Sequence, residues 1–244
     1  MKKKFALIML LVVICFSIFK LLASSGNISG NKIGYGAAAY KGSNNVAKST
    51  YYTRHDFYNM QSNNSLTILP KFKTRQQTTP FSCGPSAALM VIKYLSPSTN
   101  VTEEELCQYM STSRVVGTST KNMIKYFKNN NWTVESCYTH DTPDNPLAFR
   151  KFVLEHLKAN MPILVENIEW GGHWRVIIGY DTMGTSNTEN DVLIFADPYD
   201  TTDHYQDGYT LGSAHRFFTM WFDAHLYPKS EQKKQWLSVT TTNK

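Results

Sequence analysis

Residues 77–95 read QTTPFSCGPSAALMVIKYL, and this stretch decides the fold. Four residues recur at helical spacing and would share one apolar face: Ala87, Met90, Val91 and Tyr94. Pro97 follows as a stop signal, so the spacing predicts a helix over residues 83–95. Pro85 suits the first turn, because proline lacks an N–H that this turn would leave unpaired.

Cys83 would be the first residue of that helix, at the positive end of the macrodipole. A thiolate is stabilised at such a position, and the thiolate is the nucleophilic form of cysteine. Gly84 would allow another segment to approach the turn closely. The alternative is a cysteine that only packs in the core, since free cysteines are among the most buried residues. This stretch alone leaves both interpretations open.

A histidine and an aspartate follow at the ends of two predicted strands. His173 comes after Gly171 and Gly172 at the mouth of one strand, and Asp197 ends the next. If the hairpin closes around residues 181–190, paired positions sum to about 371, and Asp197 lies beside His173. On one face of the sheet, the carboxylate could hold the imidazole by its second nitrogen. We expect the two glycines to leave room for the cysteine helix.

These residues also carry a family resemblance. A glutamine six residues before a Cys-Gly at a helix start is similar to the papain fold, and the order of histidine and aspartate agrees. The detailed pattern resembles the bacteriocin-processing (double-glycine leader) peptidases and their stand-alone exported relatives. The matching segments are Gln77…Cys83-Gly84-Pro85-Ser86-Ala87, Gly172-His173-Trp174 opening Val176-Ile177-Ile178-Gly179-Tyr180, and Phe195-Ala196-Asp197-Pro198.

The resemblance implies a role for each of four residues. Cys83 is the nucleophile, and His173 is the general base and acid. Asp197 orients His173, while Gln77 and the backbone N–H of Cys83 form the oxyanion hole. The third member is aspartate where papain has asparagine. Processing peptidases of this kind are usually fused to an export transporter, whereas we expect a stand-alone enzyme here.

The order of the predicted elements indicates the fold class. Helical patterns occupy residues 83–95, 102–110, 118–127, 146–159 and 213–222, and strand-like runs occupy 132–138, 161–168, 173–180 and 191–196. This predicts an α+β, papain-like fold, with an N-terminal helical lobe packed on an antiparallel β-sheet lobe. We expect the peptidase domain at 70–228, an extended arm at 26–69 and a polar tail at 229–244.

The N-terminal residues 1–25 predict export. Lys2, Lys3 and Lys4 precede the apolar run Phe5–Phe19, which is typical of a secretory signal. A membrane-spanning helix needs about 20 apolar residues, and this run reaches that length only if it continues through Ala23. A cleaved signal peptide and a single N-terminal membrane anchor therefore both stay open. Either predicts an extracellular or cell-surface protein.

Composition narrows the choice of partners. The 244 residues are 42% hydrophobic and 18% charged, which excludes a disordered chain and a multi-span membrane protein. The net charge is +6, but four of the 25 basic residues and none of the acids lie in residues 1–25. The remainder carries 21 basic against 19 acidic residues and is almost neutral. We therefore expect a peptide or protein substrate and no nucleic acid partner.

No cofactor is predicted. Cysteines at CxxC spacing are absent, so a structural zinc site is not expected. The acidic loop 197–207 fits a calcium-binding loop poorly and is interpreted as a solvated loop. Cys107 and Cys137 are either buried thiols or a disulfide pair.

The sequence thus predicts an exported cysteine peptidase that hydrolyses a peptide or amide bond. Two alternatives stay open. One is an acyl transferase or transpeptidase of the same fold, because acceptor choice depends on the shape of the pocket. The other is a catalytically silent surface protein that binds peptide or wall material, which an intact set of four catalytic residues disfavours.

Overall fold

A seven-stranded antiparallel sheet forms the body of the protein in the computed structural model. The structure describes residues 36–40, 49–201, 203–226, 228–232 and 234–241. The predicted leader, residues 1–25, lies outside these ranges. Within them, no helix has both the length and the apolar character needed to cross a membrane.

The strands follow the order β2-β7-β3-β4-β5-β6, and β1 pairs with β4. Their bounds are β1 Leu66–Ile68, β2 Trp132–Ser136, β3 Ile163–Asn167, β4 His173–Asp181, β5 Val192–Ala196, β6 Tyr209–Ser213 and β7 Trp236–Thr241. The two neighbours β1 and β3 use different parts of β4, residues 179–181 and 173–177. The sheet thus centres on β4, the strand that begins with His173.

The described residues also form five α-helices. They are α1 Cys83–Leu95, α2 Glu103–Tyr109, α3 Thr120–Asn129, α4 Pro146–Lys158 and α5 Ala214–Thr219. Thr102 caps α2 in a reciprocal capping box with Glu105, and Ser119 caps α3. The predicted α+β class, with helices packed on an antiparallel sheet, is confirmed.

The predicted hairpin register is close to the observed one. Val176 pairs with Ala196, and Tyr180 pairs with Leu193. The first pairing lies one residue beyond the predicted alignment, and the second lies two residues beyond it. The register shifts between Ile177 and Gly179, which marks a β-bulge in β4. Because the shift is small, Asp197 still follows β5 at the end of the sheet where β4 begins.

The prediction of a polar tail at 229–244 was wrong for residues 236–241. They form β7, which pairs with both β2 and β3 inside the sheet. Trp236, Leu237 and Val239 are almost fully buried there. The arm predicted at 26–69 likewise contains β1 at its end, and β6 was not predicted. β1 and β7 pair with segments distant in sequence, so local patterns did not reveal them.

The helix α1 packs directly against β4. A Cβ atom at Gly84 would lie 2.8 Å from Cβ of Thr118 and 3.3 Å from Cδ1 of Trp174. The indole Nε1 of Trp174 donates to the carbonyl of Thr118 at 2.9 Å. Gly84 is therefore required for close packing, as predicted, and the contact brings the first turn of α1 next to the start of β4.

Candidate active site

Three of the predicted residues meet where α1, β4 and β5 come together. His173 and Asp197 are joined by a hydrogen bond of 2.8 Å between Nε2 and Oδ1. The imidazole also interacts with the thiol of Cys83, the first residue of α1, which contributes to the raised pKa of His173. Because Nε2 faces Asp197, Nδ1 is the nitrogen left for the thiol. The arrangement places a thiol, an imidazole and a carboxylate in series.

Asp197 is held by several donors in addition to His173. Its Oδ1 accepts the backbone N–H of Tyr199 at 2.8 Å, and its Oδ2 accepts the hydroxyl of Thr210 at 3.2 Å. The guanidinium of Arg175 lies 3.7 Å from Oδ2. Burial raises the pKa of Asp197, but the charges of His173 and Arg175 and these hydrogen bonds outweigh it and lower the pKa. Asp197 is therefore a fixed carboxylate.

His173 is buried, and its surroundings favour the protonated imidazolium. Burial alone lowers the pKa of an imidazole, but here the charge and hydrogen bond of Asp197, together with Cys83, raise the pKa of His173 to about 9. An imidazolium at this position stabilises a thiolate on Cys83. The site therefore has the charges that a cysteine nucleophile requires.

Gln77 lies in the same cleft as Cys83 and His173. The cleft encloses about 310 Å³. The side-chain Nε2 of Gln77 donates to the carbonyl of Thr79 at 2.7 Å, and Nε2 carries a second hydrogen. The backbone of Gln77 is also tied down, since its N–H donates to Pro198 at 2.8 Å and its carbonyl accepts from Ala38 at 3.0 Å. The structure thus brings Gln77, Cys83 and His173 together around one cavity, with Asp197 behind His173.

A buried carboxylate that the sequence did not single out fixes the loop between Gln77 and Cys83. Oε1 of Glu103 accepts from the hydroxyl of Ser82 at 2.6 Å and from the N–H of Thr78 at 2.9 Å. Its Oε2 accepts from Arg75 at 2.9 Å. In the sequence, Glu103 could be read only as an acid in the first turn of a helix. Its contacts reach across 25 residues, and no local pattern encodes them.

Replacing Glu103 with glutamine should loosen this loop. The change removes a charge that accepts hydrogen bonds at both ends of the carboxylate, and such bonds are worth about 2 kcal/mol. We expect a loss of about 2 kcal/mol in the free energy of unfolding, measured by urea denaturation, and a lower kcat. The control is Glu104→Gln, in the same turn but exposed. Equal stability of the two variants would contradict the proposed role of Glu103.

Gly171 and Gly172 allow the close approach of a different segment from the one predicted. A Cβ at Gly171 would lie 2.2 Å from Cε1 of His225, and a Cβ at Gly172 would lie 1.8 Å from Oδ2 of Asp223. The two glycines thus make room for the segment after α5 and not for the cysteine helix. The sequence correctly indicated close approach, but it could not identify the approaching segment.

The two tryptophans beside His173 have different roles. Trp174 is fully buried in the core, whereas Trp170 is 60% exposed at the mouth of the cleft. The ring of Trp170 lies 4.9 Å from the ring of His173, edge to face, and 5.0 Å from the ring of Tyr199. Trp170 therefore shields the imidazole, and Trp174 packs the strand against α1.

Cys107 and Cys137 are free thiols. Burial and the charge of Glu103 raise the pKa of Cys107 to about 11, and burial raises the pKa of Cys137. Both side chains therefore stay protonated at neutral pH. The disulfide alternative is not realised in the structure, and both residues are half-buried.

One group of side chains has the composition of a metal site. Ligand atoms of Glu169, His173 and Asp197 lie within 4.8 Å of one another. The guanidinium of Arg175 lies 3.3 Å from Glu169 and 3.7 Å from Asp197. Arg175 supplies a positive charge to both carboxylates. The two acids are therefore paired with a cationic side chain of the protein itself.

The fold and the site define the class of protein, a cysteine peptidase. The chain belongs to the Peptidase_C39 like family, whose sequence profile matches residues 69–224. No curated protein sequence matches the chain. The family membership confirms the resemblance to bacteriocin-processing peptidases that the residues around Cys83, His173 and Asp197 indicated.

Two solved structures are similar to the chain. One is the peptidase domain of Streptococcus ComA, described as a bifunctional ABC transporter involved in quorum sensing, with 18% identity and a TM-score of 0.47 over 70% of this chain and 99% of that domain. The other is a double glycine motif protease from an AMS/PCAT transporter in complex with a leader peptide. It has 15% identity and a TM-score of 0.43 over 72% of this chain and 93% of that one.

Proposed function

We propose that the protein hydrolyses peptide bonds through a Cys83–His173–Asp197 triad, with Gln77 and the backbone N–H of Cys83 as the oxyanion hole. The observation that carries the proposal is the series in which Asp197 holds His173 by a hydrogen bond of 2.8 Å and His173 interacts with Cys83 at the start of α1, in one cleft. The cleft beside these residues gives a peptide carbonyl access to the thiol.

The reaction proceeds in two stages. The Cys83 thiolate attacks the carbonyl carbon, and the negative charge that develops on oxygen is stabilised by the Gln77 amide and the Cys83 N–H. His173 donates its proton to the leaving amine, which leaves an acyl-enzyme on Cys83. A water molecule, deprotonated by the now neutral imidazole, then attacks the thioester and releases the acid and the thiol.

A peptide library tests the proposed function. The full chain is incubated with the library, and the products are identified by mass spectrometry, with Cys83→Ala as the control. We expect cleavage by the wild type and none by the variant. Cleavage that persists in Cys83→Ala, or the absence of cleavage from every peptide, would contradict hydrolysis at this site. Products joined to an added amine would favour acyl transfer instead.

The pH dependence of kcat/KM should report the protonation state of His173. Its pKa of about 9 implies that the imidazolium, and with it the active ion pair, is lost as the pH rises through that value. We expect the alkaline limb of kcat/KM near pH 9. In Asp197→Asn the limb should move to lower pH, because the carboxylate charge that raises the pKa of His173 is gone. An unchanged limb would contradict this role of Asp197.

We also propose that the enzyme acts outside the cytoplasm, as a secreted or surface-anchored protein. The support is the cationic start Lys2–Lys4 followed by the apolar run Phe5–Phe19. The test is digestion of intact producing cells with an added protease, followed by detection of the chain in cells and medium. Complete protection in intact cells, with no protein in the medium, would contradict export.

A further inference from the structure

An acidic residue lines the same cleft, and the proposed mechanism does not use it. Glu166 is in β3 opposite Trp174 of β4, and it lines the cleft together with Cys83 and His173. It is 2% exposed, comparable with His173 at 2% and Gln77 at 1%. Glu166 is therefore as buried as the residues of the proposed site, and it lines the same cleft.

Glu166 is paired with a second carboxyl group. Its carboxyl group interacts with that of Asp223, which is also buried. Oδ1 of Asp223 is engaged by the backbone N–H groups of His225 and Leu226, so the position of Asp223 is fixed. Burial, followed by the hydrogen bond and charge of Asp223, raises the pKa of Glu166 well above its usual range. Glu166 therefore keeps its proton to higher pH than an exposed glutamate does.

Glu166 and Asp223 lack the cationic partner that several other buried acidic residues have. Glu103 is paired with Arg75, Asp191 with Arg150, and Asp197 with His173. Within the described ranges, no ion pair involves Glu166 or Asp223, and Oε2 of Glu166 has no hydrogen-bond partner. An unpartnered buried oxygen is costly, and a donor brought by a ligand removes that cost.

Several charged and titratable groups surround the Glu166–Asp223 pair. The groups that act electrostatically on Glu166, or lie with it in the cleft, are Cys83, Cys137, Tyr138, Asp223, His173, Tyr199, His225 and Arg114. Arg114 is exposed at the rim, where its guanidinium lies over the ring of Phe81.

We propose that Glu166 and Asp223 form a subsite for a cationic side chain of the peptide substrate, an ammonium or guanidinium group carried by a residue close to the scissile bond. The inference rests on the proposed peptidase function and specifies its substrate class. A bound cation supplies the missing donor to Oε2 and favours the release of the Glu166 proton to solvent. Affinity for such a side chain should therefore rise with pH.

A purely structural role gives different expectations. The same pair supports the turn at Gly172, through the close approach of Asp223 Oδ2. If support of the turn were its only role, a change at Glu166 would affect all substrates alike. If the pair is a subsite, only substrates with the cationic side chain are affected.

The test compares quenched peptides in which one position at a time carries lysine or norleucine, which has a similar apolar chain without the charge. For the wild type we expect lysine at one position to raise kcat/KM at least about tenfold over norleucine, through KM, as for a charged hydrogen bond. In Glu166→Gln the lysine preference should fall below about threefold, while the norleucine peptide is cleaved as before. Glu155→Gln, an exposed glutamate on α4, is the matched control and should behave as the wild type.

Binding of the same peptides to Cys83→Ala, followed by fluorescence polarisation, separates this inference from the proposed function. A lysine preference in binding that grows with pH supports the subsite even if no peptide is cleaved. A wild type without a lysine preference, a preference that survives in Glu166→Gln, or equal losses for both peptides would overturn the proposal. The first outcome requires no variant, so a folding defect in Glu166→Gln does not prevent the test.

Discussion

Peptide cleavage should be lost when Cys83 is replaced with alanine, with kcat falling by about 10⁴–10⁶. His173→Ala should lose a similar amount, because the thiol then lacks both its base and the imidazolium that stabilises the thiolate. The double variant should be no worse than either single one, since the two side chains act as a unit. The measurement is kcat on the best peptide from the library.

Cys107→Ala is the matched control for this experiment. Cys107 is a free thiol that does not line the cleft, so its loss should leave kcat unchanged. Full activity in Cys83→Ala, or independent and additive effects of Cys83→Ala and His173→Ala, would show that the two residues do not form one catalytic unit.

Gly171→Ala should damage both stability and activity. Gly171 has a φ of +91°, which an alanine adopts only with strain, and the new Cβ would lie 2.2 Å from Cε1 of His225. Together, strain and overpacking should cost about 3 kcal/mol in the free energy of unfolding. His173 lies two residues further on, so its displacement should also lower kcat by about 100-fold. Urea denaturation and steady-state kinetics measure the two effects.

Two further variants separate strain from steric clash. Gly184 has a φ of +70° with nothing within 4 Å of its Cβ position, so Gly184→Ala carries the strain alone. It should cost about 1 kcal/mol and leave activity unchanged. Adding His225→Ala to Gly171→Ala removes the clash and should restore part of both losses. A Gly171→Ala variant as stable and active as Gly184→Ala would mean that the turn before His173 does not depend on this contact.

The parts of the site that local sequence patterns describe were predicted well. The helical spacing after Cys83 gave α1 its correct bounds, and a two-stranded hairpin fixed the alignment of His173 with Asp197 to within two residues. Both predictions rest on interactions between segments that are close in sequence. In such segments the hydrophobic period and the turn length set the geometry.

The parts that depend on distant segments were missed. Glu103 reaches back to the loop before Cys83, and β7 inserts between β2 and β3 from the end of the chain. Asp223 meets Glu166 across 57 residues. Tertiary packing alone brings these groups together, so periodicity and spacing contain no signal for them. The carboxyl pair could at most have been suspected from a glutamate inside an otherwise apolar strand.

The rate of alkylation of Cys83 by iodoacetamide at pH 6 tests the central claim most directly. At this pH a free thiol is almost entirely protonated, whereas a thiolate paired with the His173 imidazolium reacts. We predict that Cys83 reacts at least about ten times faster than a free model thiol, that His173→Ala removes this advantage, and that Cys107 and Cys137 stay unmodified. A Cys83 that reacts no faster than the model thiol would contradict an activated nucleophile at this site.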